Sequence, residues 1–219
     1  MTHAPSLSRP LGDALWARAT AGAGLAALVS YGLLLVVPAP LPVQVLLVFG
    51  FAFGLTVASL GLYHAVGAPV APRLALVATV ANVVAAGQLT AMLLVQLAVR
   101  EHASAPGRAF VAIWLGLDVA WDLYVGVGTL AFAWLLRRHP SFRYWIAVPG
   151  IAIATLLLGL NVATFPLPPG DVGAFDAGPL VGLWYLVVTI QVGRLAWRER
   201  AQRPPDPLGT RQDGFRSAA

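Results

Sequence analysis

Arg108-Ala-Phe-Val-Ala-Ile-Trp-Leu-Gly-Leu-Asp118-Val-Ala-Trp-Asp122-Leu-Tyr-Val-Gly-Val-Gly-Thr-Leu-Ala-Phe-Ala-Trp-Leu-Leu-Arg137-Arg138 is the stretch whose reading decides the fold. From Ala109 to Leu136 its only charges are Asp118 and Asp122. At about 1.5 Å per residue such a run exceeds the ~30 Å hydrocarbon core of a bilayer. Asp122 then falls close to the midplane, and Asp118 one helical turn nearer one surface. Carboxylates at that depth are costly and turn toward a protein interior or a wet cavity, so the pair is the first place to look for function.

The composition around this run agrees with a membrane location. Of 219 residues 58% are apolar and 11% charged, where a soluble domain has about a quarter charged. There is no cysteine, which excludes disulfides, thiolate metal sites and cysteine nucleophiles. All fourteen basic residues are arginine, clustered at the ends of apolar runs and in the tail. That placement points to membrane orientation and anionic headgroups, not to nucleic acid.

Five more apolar runs complete an all-α, six-span reading. They cover about 19–37, 43–66, 74–99, 145–165 and 179–197, with the central run at 109–136. Residues 1–18 form a cytosolic or interfacial arm, and 198–219 a polar, Arg- and Pro-rich tail expected to be disordered. The first run is a full span followed by Pro38-Ala-Pro-Leu-Pro42, which is unlike a cleaved signal peptide. The second carries Gly50, Gly54 and Ala58 at four-residue spacing, a strip that lets another helix approach closely, within the bundle or in a dimer.

Arg9, Arg18, Arg73, Arg137, Arg138, Arg143 and Arg194 share one side with the arginines of the tail, and only Arg100 and Arg108 fall on the other. By the positive-inside rule both termini are cytoplasmic, in a bacterial inner membrane. Trp16, Trp134, Trp145 and Trp197 lie near that same surface.

Laid in the bilayer by its ends, the chain brings Ser30, Tyr31, Thr56, Gln88, Asp122, Thr155, Tyr185 and Thr189 near the midplane. A bundle turning these toward one axis has a polar layer at its centre. Asp118 and Asp122, at i and i+4, share a helix face and repel if both are charged, so at least one is expected to be protonated. No basic residue shares their depth. The candidates for binding a proton, cation or ligand are Asp118, Asp122, Trp121, Tyr124, Gln88, Asn82 and Tyr185. The same residues are equally readable as a protonated pair knitting helices together, with the aromatics as packing. Asn161 reads as a cap or an interhelical hydrogen-bond partner.

Enzyme signatures are sparse. The four histidines are scattered without metal-ligand spacing, and no phosphate-binding Gly loop or Gly-x-Ser-x-Gly elbow is present. No metal or cofactor is expected. The loop bearing Asp171 and Asp176 reads as a turn before it reads as a divalent-cation site. The partners expected are the lipid bilayer, a second copy of the chain in a homo-oligomer, and an unidentified small molecule or ion.

At Gly116-Leu-Asp-Val-Ala-Trp-Asp-Leu-Tyr124, Leu160-Asn-Val-Ala-Thr-Phe-Pro-Leu-Pro-Pro-Gly170 and Gly178-Pro-Leu-Val-Gly-Leu-Trp-Tyr185 the sequence resembles a group of uncharacterised six-span bacterial membrane proteins, grouped as a domain of unknown function. The resemblance implies the six-helix architecture and carries no activity with it. Three functions remain open: a small binding or transport protein using the Asp pair, a membrane enzyme acting on a lipid or isoprenoid with the pair as acid and base, and a non-catalytic scaffold.

Overall fold

The computed structural model describes residues 14–102, 107–142, 144–164 and 177–202. They form six helices, each long and apolar enough to cross a membrane: α1 Ala14–Val36, α2 Leu41–Val70, α3 Pro72–His102, α4 Arg108–Arg138, α5 Tyr144–Thr164 and α6 Gly178–Gln202. No strand occurs among the described residues. The protein is an all-α, multi-pass membrane protein.

Helical backbone continues past the apolar runs at both termini. Residues Ala14 to Arg18, expected in the amino-terminal arm, are the first turn of α1, and Arg198 to Gln202, expected in the tail, extend α6. The physical reason is that a helix satisfies its own backbone in water as well as in lipid, so its hydrogen bonds do not stop where the hydrocarbon does. Arg18 helps by donating from Nε to the Ala14 carbonyl at 3.2 Å.

Tight connections make neighbours antiparallel. Pro40 precedes α2 and Pro42 sits in its first turn, where a missing N–H costs nothing. A single residue, Ala71, separates α2 from α3. Just before it, Tyr63–Gly67 is wound as a π-helical turn, with Ala68 N–H donating to the Tyr63 carbonyl. Pro69 follows, which has no N–H with which to continue the ordinary ladder.

Each helix packs chiefly on its neighbours in sequence, and α1 packs on α6, so the six close into a ring. Close approach depends on small residues, because lipid gives no hydrophobic drive for two apolar helices to meet. The Gly50/Gly54/Ala58 strip is used in this way within the chain. A Cβ on Gly54 would stand 2.7 Å from the Ala23 carbonyl oxygen and 2.8 Å from the Ala27 Cβ, so α1 lies directly against it.

The two ends of the bundle are named here for α4. At the Arg138 end, Phe132, Leu135, Leu136, Ile146, Val188 and Val192 are fully buried in one cluster. Toward the Arg108 end a smaller cluster holds Ala27, Phe51, Leu55, Ala86, Leu89 and Met92. The outside is as apolar as the inside, with Leu25, Leu46, Phe53, Leu76 and Ile113 all exposed, as a surface solvated by acyl chains requires. Tyr144, Trp145 and Trp197 are exposed at the Arg138 end, and the Arg137 guanidinium lies 4.1 Å above the Trp134 ring. This is an aromatic and basic belt of the kind found at headgroup level.

Candidate functional site

Four residues of α4 at helical spacing, Asp118, Trp121, Asp122 and Val125, form one stripe, and the ring turns it inward. Asp122 lies 14 residues from Arg108 and 16 from Arg138, or about 21 Å and 24 Å along the axis, so it sits at mid-depth. It is 6% exposed, while Asp118 is half-buried. Both face a cavity of about 400 Å³ whose wall is contributed by α1, α2, α3, α4 and α6.

The sixth helix, α5, contributes from behind. Asn161 is completely buried and donates from Nδ2 to Asp122 Oδ2 at 2.9 Å and to the Leu157 carbonyl at 3.0 Å. Both amide protons are thereby used, and Asn161 Oδ1 is left as a buried acceptor without a hydrogen-bond partner among the described residues. Asn161 therefore fixes the rotamer of Asp122, one carboxylate oxygen being held against α5. The interhelical-partner reading of Asn161 is the one the geometry gives.

A second polar group closes the cavity on its Arg138 side. Asn82 of α3 donates to the Tyr185 hydroxyl at 2.7 Å and to Ser59 Oγ at 3.2 Å, and Thr129 Oγ1 donates to the Tyr185 hydroxyl at 3.4 Å. Four helices are tied in one plate, with Ser59 and Tyr185 showing to the cavity and Asn82 and Thr129 behind them. Gly128 makes room for it: a Cβ there would overlap Asn82 Oδ1. Each such interhelical bond is worth about 0.6 kcal/mol on average in a membrane, and an orphaned partner costs about 1–3 kcal/mol.

The remaining wall is apolar and aromatic. Trp121 meets Phe51 edge-on at 6.0 Å between ring centroids, and Phe51 meets Tyr31 at 5.4 Å. Among the described residues no Arg or His lines the cavity, and Tyr31 and Tyr185 are its other titratable side chains. Among the described residues no group of three His, Asp or Glu is placed to hold a metal ion.

α1 and α6 touch along their shared length. A Cβ on Gly24 would collide with Thr189, one on Gly193 would stand 3.1 Å from Ala21, and one on Gly182 would stand in ordinary contact, 3.9 Å from Leu28. Among the cavity-lining residues Leu183 is 58% exposed.

The structure therefore gathers Asp118, Asp122, Trp121 and Tyr185 on one wall and places Asn82 behind it. Two candidates lie off this wall. Gln88 is half-buried and off the wall, and Tyr124 is 44% exposed on the outer face of α4, because at i+2 from Asp122 it points away from the stripe. Of the other residues expected at mid-depth, Tyr31 and Thr189 reach the cavity, Thr155 faces outward, and Ser30 and Thr56 are half-buried off the wall. Ser59 and Thr129 were not expected, although Ser59 directly follows Ala58 of the small-residue strip and Thr129 directly follows Gly128. Asp171 and Asp176 lie outside the described residues.

Fold and site together define a polytopic α-helical membrane protein with an acidic, largely apolar central cavity. Compared with protein-family models, curated proteins and solved structures, the chain has no match, so no relative's activity bears on the site.

Proposed function

We propose that this is a small membrane binding or transport protein in which Asp118 and Asp122 take up a proton or a cation. The observation that carries the reading is that both carboxylates line one mid-depth cavity to which the described residues contribute no cationic side chain, with Asp122 held in place from outside the cavity by Asn161. A carboxylate pair buried purely to knit helices together has no need of an adjoining space of about 400 Å³. Arg137, Arg138 and Arg194 favour the Arg138 end as cytoplasmic, in a bacterial inner membrane, which puts the cavity in the extracytoplasmic half.

The test is flux in proteoliposomes, with proton and monovalent-cation movement followed for wild type and Asp122→Asn. Loss of flux in the variant, which keeps the size of the side chain, is the expected result. Equal flux in both removes transport through this site. Leu183, which lines the cavity yet is exposed, favours a second reading, an enzyme acting on a lipid or isoprenoid with the pair as acid and base. Its sign is chemical turnover of added lipid without flux.

A further inference from the structure

We infer that the cavity's ligand is an organic monocation with a bulky apolar body. This deepens the proton-or-cation reading and rests on it. A site for a bare metal cation surrounds the ion with oxygen ligands. Here the lining residues besides Asp118 and Asp122 are mostly Gly, Ala, Leu, Val and aromatic, with hydroxyls only from Ser59, Thr189, Tyr31 and Tyr185 among the described residues. About 400 Å³ is far more room than a proton or dehydrated sodium ion fills, and lies within the range of small-molecule sites.

The arrangement of the wall gives each part of such a ligand a place. The positive charge is matched by the carboxylates and by the electron-rich faces of the aromatic rings Trp121, Phe51 and Tyr31, which line the same cavity. No Arg or His among the described residues lines the cavity to repel it. The apolar body is matched by Leu28, Leu55, Leu89 and Met92. A free carboxylate or phosphate ligand is disfavoured for the same reason, because nothing on the wall balances its charge.

The experiment uses the full chain in nanodiscs of neutral lipid and radiolabelled tetraphenylphosphonium as probe, with empty nanodiscs subtracted, and sodium and tetramethylammonium as competitors. Saturable binding is expected in the wild type. It should weaken about thirtyfold or more in Asp122→Asn, where a buried charge partner is lost, and about fivefold in Trp121→Ala. Tyr124→Phe, outside the cavity, is the folding control and should match wild type. If the pair exchanges protons or sodium and tetraphenylphosphonium neither binds nor competes, the organic-cation inference is overturned and the simpler cation reading stands. If tetraphenylphosphonium binds equally to wild type and Asp122→Asn, the inference is overturned because binding is elsewhere. If nothing binds and Asp122→Asn is silent in flux, both readings fall.

Discussion

The two halves of α4 differ more than their similar hydropathy suggests. From Arg108 to Asp118 no residue of the helix is buried, while from Val119 to Leu136 eleven are, Phe132, Leu135 and Leu136 among them. α1 shows the same division, its buried residues being Ala17, Thr20, Gly24 and Ala27, with none from Leu28 to Val36, toward the Arg108 end. The Arg138 half is a packed core held by close helix contacts, and the Arg108 half surrounds a cavity. Stability is therefore concentrated at one end and the space for chemistry at the other, with the Asn82–Ser59–Thr129–Tyr185 plate at the boundary. In a lipid-solvated protein this is an economical division. Van der Waals packing and interhelical hydrogen bonds are what hold helices together, so a region that gives up packing to make a site needs a well-packed region beside it.

That contrast is open to direct attack. The largest effect expected is from Phe132→Ala, which should cost about 3–5 kcal/mol in reversible unfolding from mixed micelles, whereas Met92→Ala, beside existing space, should cost no more than about 2 kcal/mol. Equal costs would mean that the halves do not differ. Next is a pair on the same helix. Gly128→Leu should destabilise by about 1–3 kcal/mol because it displaces Asn82, and Gly116→Leu, with nothing within 4 Å, should change stability by less than about 0.5 kcal/mol.

Asn161→Leu removes the donor that holds Asp122 Oδ2. A loss of about 1–3 kcal/mol is expected, together with weaker cation binding, and wild-type binding in a variant of reduced stability would confine Asn161 to a structural part. The smallest effect is that of Tyr185→Phe. It leaves Asn82 bonded to Ser59 alone and should cost between about 0.6 and 1.7 kcal/mol, measured as a shift of the unfolding midpoint.

How much of the site was legible depends on which property each residue used. Asp118, Trp121 and Asp122 were readable because they share one helix, where spacing fixes their relative direction. Tyr124 is on that helix but not on that face, since its nearness in sequence to Asp122 says nothing about a shared face. Gln88 and Asn82 differ by six positions on α3 and were given equal weight. Only packing separates them, Asn82 being completely buried against Gly128 and Gln88 turned partly away. Asn161 was readable as a hydrogen-bond partner, but its pairing with Asp122, 39 positions away, was not.

Length, apolar content and the placement of arginine along the chain determined by themselves that this is a six-span helical membrane protein. Those are one-dimensional properties, and the bilayer reads them directly. Which side chains face the cavity, and that a cavity exists at all, was decided by the rotation and crossing of the helices. These are set by contacts between distant small residues, such as Gly54 on Ala27 and Gly24 on Thr189, that bring α1 against α2 and α6 and close the ring.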